Sequence, residues 1–121
     1  MIVFDASALL AFLQDEPGAD RVESGLVHGG WCASVNWSET AQKVRARGAD
    51  WTLAAALLTG YELRVEPVGQ ADAERAAALW TRGSALSLAD RLCLAVAERL
   101  GAEAWTADTA WPDRPGVVQI R

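Results

Sequence analysis

The chain has 121 residues, 51% hydrophobic and 22% charged, a composition that fits one globular domain (1–121) and excludes a disordered segment. Its net charge of −5 sets the surface against polyanions, so any role on nucleic acid has to rest on local neutralisation. Cys32, Cys93 and the single histidine, His28, are too few and too scattered for a zinc site or for Ser-His-Asp or Cys-His catalysis. The thiols read as buried and free, and His28 as a turn residue beside Gly29.

In chain order, Met1 to Phe4 predicts a buried strand that stops at Asp5. Its apolar start lacks the cations of an export signal, and no later run reaches the roughly 20 residues that span a bilayer, so a cytoplasmic protein is expected. Ser7 is placed to cap a helix with Leu9, Leu10 and Leu13 inward, broken at Pro17-Gly18. Val22, Leu26 and Val27 predict a second short helix, ended by Gly29-Gly30. Trp31 to Ala33 forms a strand, and a helix follows from Ser34 to about Arg47 with Val35, Ala41 and Val44 inward.

Trp51 to Leu58 predicts a further helix closed by Gly60, then a strand at Leu63 to Val65 stopped by Pro67. An alanine-rich helix covers Gln70 to Trp80. Leu88, Leu92, Ala95, Val96 and Leu100 keep helical spacing between Ser87 and Gly101. Ala104 to Thr106 and Val117 to Ile120 are the last strands. Short strands alternating with helices predict an α/β sandwich with a mostly parallel sheet.

In such a sheet, functional residues gather at the carboxyl ends of the strands. Asp5 and Asp108 follow strands, and Glu39 and Asp90 fall near the first turns of helices, so four acids can converge on one rim. Each also has a plain structural reading. Asn36 with Glu39 and Ser87 with Asp90 have capping-box spacing, Asp5 ends a strand, and Asp108-Thr109 forms a turn. Convergent carboxylates repel by about 4 kcal/mol at 4 Å in an effective dielectric near 20, and a bound cation relieves this. Oxygen ligands without His or Cys favour Mg²⁺ or Mn²⁺, which suits phosphodiester hydrolysis.

The chain resembles the PIN-domain ribonucleases, and among them the VapC-type toxins of bacterial toxin–antitoxin pairs. The resemblance is carried by Phe4-Asp5-Ala6-Ser7-Ala8-Leu9-Leu10, Asn36-Trp37-Ser38-Glu39-Thr40, Leu86-Ser87-Leu88-Ala89-Asp90-Arg91 and Thr106-Ala107-Asp108, in the family's order. It implies a PIN-like sandwich with Asp5, Glu39, Asp90 and Asp108 as metal-site acids and Ser7 and Thr106 as supporting hydroxyls. It further implies RNA as substrate, Mg²⁺ or Mn²⁺ as cofactor, a small VapB-like antitoxin as inhibitor, and a homodimer. One departure is Thr109-Ala110-Trp111-Pro112-Asp113, where the family often has a charged residue and an aromatic; Asp113 is therefore a second candidate for the fourth acid.

The six tryptophans read as packing residues, with Trp51 and the leucines after it also fitted to a groove for an antitoxin helix. Lys43, Arg45 and Arg47 form the one compact basic run, a solvated helix end or a contact for RNA phosphates. Two rival functions compete with the nuclease. A PIN fold kept for binding alone, with catalysis lost, stays open as the alternative, and the acids intact at all four positions weigh against it. A phosphoacceptor signalling domain would need a paired acid beside Asp5 and a distal lysine, and Lys43 is the only lysine. A phosphatase with an aspartate nucleophile would want an acid where Ser7 stands.

Overall fold

A computed structural model describes all 121 residues. Five strands, β1 (Ile2–Phe4), β2 (Gly30–Ala33), β3 (Leu63–Glu66), β4 (Glu103–Thr106) and β5 (Val117–Gln119), form one sheet in the order β3-β2-β1-β4-β5. Every pairing is parallel, so the expected α/β class holds. The helices are α1 (Ala6–Leu13), α2 (Ala19–Leu26), α3 (Ser34–Ala46), α4 (Trp51–Gly60), α5 (Gln70–Ala78) and α6 (Leu88–Leu100). None is long and apolar enough to cross a membrane.

A parallel sheet needs cover on both faces. Successive residues of β1 point to opposite sides, and both sides are buried. Val3 packs with Cys93, Val96 and Ala104, whereas Phe4 packs with Leu9, Val22 and Leu26. Both β1 residues are fully buried. Helix α6 therefore supplies one layer, and α1 with α2 supplies the other.

Connectivity then locates the rim. The chain leaves β1 through α1 and α2 to β2 on one side, and returns through α5 and α6 to place β4 on the other. Strand order reverses between β1 and β4, which opens a crevice at their carboxyl ends. The Asp5 N–H donates to the Trp105 carbonyl across 3.0 Å, so Asp5 and Thr106 end up side by side at that crevice.

Several local expectations are corrected. Helix α1 is capped by Asp5, whose carboxylate accepts from the Ala8 N–H, and Ser7 lies inside the first turn. That helix ends at Leu13, before Pro17-Gly18, where Asp15 turns the chain at φ +51°. Helix α4 runs through Gly60 to a C-cap at Tyr61; the Glu62 N–H donates to the Thr59 carbonyl, and the positive φ at Glu62 then turns the chain out of the helix. Asn36 and Glu39 do not cap: α3 already starts at Ser34, after an N-cap at Ala33. Of the positions expected inward, Leu26 and Leu92 are buried, whereas Val27, at the C-cap of α2, and Leu88, the first residue of α6, are exposed.

At Gly30 the backbone has φ +147°, and a Cβ would lie 2.7 Å from the Phe4 ring. Gly30→Ala should therefore destabilise the protein by about 2–4 kcal/mol, through backbone strain and overpacking together. Urea unfolding would measure it, and a loss below about 1 kcal/mol would show that the Phe4 ring yields freely.

Candidate active site

The rim is organised around one buried carboxylate. Asp5 is only 3% exposed and sits where β1 turns into α1. Its Oδ1 accepts from the Ser7 hydroxyl at 2.7 Å and the Ala8 N–H at 3.0 Å, and its Oδ2 accepts from the Thr106 hydroxyl at 2.8 Å. Each hydroxyl has one proton to give and gives it to Asp5. The hydroxyl oxygens in turn accept backbone N–H groups, Ala107 on Ser7 at 2.9 Å and Asp108 on Thr106 at 3.0 Å. The peptide dipoles after β4 thus polarise both hydroxyls toward the carboxylate.

Burial raises the Asp5 carboxyl from 3.8 to about 6, against the opposing pull of the Ser7, Ala8 and Thr106 hydrogen bonds; the negative charge of Asp90 adds to the rise. Burial likewise pushes the Cys93 thiol far up, and the charges of Asp5, Asp90 and Glu39 all reinforce it. Cys32 behaves in the same way under burial and the charges of Asp5 and Glu39. Asp5, Glu39 and Asp90 are therefore brought into one electrostatic neighbourhood.

Glu39 and Asp90 are each positioned by a neighbour three residues earlier. The Asn36 amide, 1% exposed, donates to Glu39 Oε1 at 2.9 Å and to the Ala89 carbonyl at 3.3 Å. It thereby ties α3 to the first turn of α6, a link hidden in the sequence because the same spacing resembles a cap. Ser87 and Asp90 do form a capping box: Asp90 Oδ2 accepts from the Ser87 N–H, and Ser87 Oγ accepts from the Asp90 N–H. Glu39 Oε2 and Asp90 Oδ1 are left without protein partners. Asn36 Oδ1 is also buried and unpartnered.

Asp108 closes a local turn, its Oδ1 accepting from the Ala110 N–H at 2.9 Å, while its own N–H holds Thr106. Asp113 is exposed and lines a separate small pocket with Thr109 and Trp111. The basic run divides. Lys43 and Arg47 share a groove with Ser7, and Arg45 does not enter it. Trp51 is turned against Trp37, ring centroids 4.9 Å apart, so the groove beside α4 is lined by Leu53, Ala54 and Leu57 without it. His28 lies in a turn at the opposite end of the sheet, beside a cavity of about 440 Å³ that includes none of the acids of the rim. Both cysteines are free and buried.

No three acidic, histidine or cysteine side chains are close enough to enclose a metal ion by themselves. The donors at the rim are all hard oxygens, however, and Mg²⁺ is commonly held by one or two carboxylates with water completing its shell. An unpaired carboxylate oxygen on Glu39 and on Asp90, the orphaned Asn36 Oδ1 and the strained charge of Asp5 fit a water-rich site of that kind.

A family model described as the PIN domain matches residues 2–117. The chain belongs to the PIN-domain family. This sets aside the phosphoacceptor reading. The PIN domain is similar in structure to a chain of a toxin–antitoxin complex from Klebsiella pneumoniae, with a TM-score of 0.77 and 22% identity over 100% of this chain and 98% of that one. It is also similar to VapC20 of Mycobacterium tuberculosis, a toxin that cleaves the sarcin–ricin loop, with a TM-score of 0.72 and 21% identity over 90% and 91%. At these identities the likeness establishes the PIN fold. No curated protein matches the chain in sequence.

The raised Asp5 carboxyl has a sign that can be tested. The folded chain holds the Asp5 proton more tightly than the unfolded chain, so Asp5 contributes stability below about pH 4 and loses it as pH rises to about 6. In EDTA, Asp5→Asn should gain on the parent by on the order of 3 kcal/mol between pH 4 and pH 7. An amide can still accept from Ser7 and Ala8 and donate to Thr106. A stability difference that stays constant across that range would mean that Asp5 titrates normally.

Proposed function

We propose that this PIN domain is a Mg²⁺- or Mn²⁺-dependent endoribonuclease, the toxin of a VapC-type toxin–antitoxin pair, cleaving RNA phosphodiesters at the Asp5 rim. The observation that carries the reading is the buried Asp5 carboxylate, fixed by three hydrogen bonds at the switch point and repelled by Asp90. An anion kept at such a cost has a use for a cation. The structural likeness to a toxin that cleaves the sarcin–ricin loop points to the same chemistry.

In this reading Asp5, Glu39 and Asp90 hold the metal, which when bound supplies a Lewis acid for the attacking water and for the phosphate. The protein's own contribution is order. Ser7 and Thr106 lock the Asp5 carboxylate in one orientation, Asn36 aims Glu39, and the Ser87 cap fixes Asp90 at the start of α6. Asp108 acts behind this set through its N–H on Thr106. Asp5→Asn, Glu39→Gln and Asp90→Asn should each lower cleavage of single-stranded RNA by about 100-fold or more. Asp108→Asn should cost about tenfold or less, since the peptide N–H remains. Wild-type activity in Asp5→Asn would refute the assignment, and a parent that binds RNA without cleaving it would favour a binding module.

Activity should vanish in EDTA and return with Mg²⁺ or Mn²⁺; cleavage that survives rigorous chelation would exclude the metal-assisted route. The inhibitory partner of this reading is a small antitoxin whose helix lies along the exposed Leu53 and Leu57 of α4, with an arginine reaching the carboxylates. Trp80 and Leu88, also exposed, offer the apolar surface for the homodimer.

A further inference from the structure

We infer that the groove between α1 and α3, walled by Lys43, Arg47 and Arg121 and opening at Ser7, carries the RNA backbone on one side of the cleavage position. This rests on the ribonuclease reading and adds the path of the substrate. The groove has a volume of about 360 Å³. Ser7, Leu10 and Gln14 recur at helical spacing along its α1 wall, so it extends from the Asp5 hydrogen-bond partner to the far end of that helix.

The charges select the occupant. Lys43 and Arg47 are four residues apart and stack on one face of the end of α3, whereas Arg45 is turned about 200° from Lys43. Neither Lys43 nor Arg47 has an ion-pair partner. Arg121 is held across the groove by the Pro17 carbonyl at 3.1 Å and by Glu16 at 3.5 Å. Three cations against the single carboxylate Glu16, with few apolar anchors, suit a phosphate chain better than a hydrophobic peptide helix. On a surface of net charge −5, such a groove offers a polyanion a local excess of positive charge.

The experiment compares the parent, the triple variant Lys43→Ala/Arg47→Ala/Arg121→Ala, and Arg45→Ala. Affinity for a labelled single-stranded RNA is read by fluorescence anisotropy in EDTA, at salt from about 50 to 200 mM. Cleavage in Mg²⁺ gives KM and kcat in parallel. The triple variant should bind about 10–100-fold more weakly at low salt, with a log–log salt slope shallower by about 2, the single-strand value for three lost phosphate contacts. Its KM should rise while kcat stays within about threefold. Arg45→Ala should change affinity less than about twofold, and the charge-preserving Lys43→Arg/Arg47→Lys pair should keep the parent slope.

An unchanged slope in the triple variant, or an equal effect from Arg45→Ala, would overturn the groove. So would loss of a bound partner protein with RNA affinity intact, which would make this a protein-docking surface. The two readings fail separately. Cleavage by the parent with the triple variant unaffected removes only the groove, whereas groove-dependent binding without cleavage in Mg²⁺ or Mn²⁺ removes only the nuclease. A parent with no RNA affinity removes both.

Discussion

A charged carboxylate buried between two strands and a helix governs much of this molecule. Asp5 closes the first turn of α1, receives the Thr106 hydroxyl from the end of β4, and anchors its own N–H on β4. One side chain thus joins the three elements that meet at the switch point. Burial costs the ion its hydration, and hydrogen bonds return only part of it, which leaves the carboxyl pushed up to about 6. Structural economy alone would place an amide or a serine at such a cap. A buried acid of this kind is what a site for chemistry uses, and it is the ground on which the proposed reaction is placed at this rim.

Much of the fold was legible because periodicity reports burial directly. The continuous apolar run at Met1 to Phe4 and the spacing from Leu88 to Leu100 identified the central strand and the central helix. What stayed hidden was orientation. Ser7 and Asp5 are both good caps, and only the turn from β1 shows that Asp5 takes the role and Ser7 serves it. Asn36 to Glu39 has capping spacing, yet the helix starts two residues before Asn36 because its N-cap is Ala33. The pairing of the four acids was similarly open: a position near a helix start does not say which way a carboxylate faces, and Asp108 is drawn into its own turn.

The surface follows from the same geometry. Because α3 ends beside α1, the face it shows there has Lys43 and Arg47 and not Arg45, a distinction that a linear basic run conceals. Arg47 also borders the apolar groove with Leu53 and Leu57, as does Gln14. The polar and apolar grooves therefore share a wall. A partner seated in the second would cover a cation of the first, so inhibition by a partner need not reach the carboxylates to exclude a polyanion.

The two cysteines have a bearing on how the protein can be watched. Cys32 and Cys93 are fully buried in opposite layers, and burial together with the nearby acids holds both thiols far from the reactive thiolate. Neither is accessible unless the layers separate from the sheet. The molecule therefore contains a built-in clock for its own opening: the rate at which an alkylating reagent consumes the thiols reports how often the sandwich comes apart, one layer at a time or both at once.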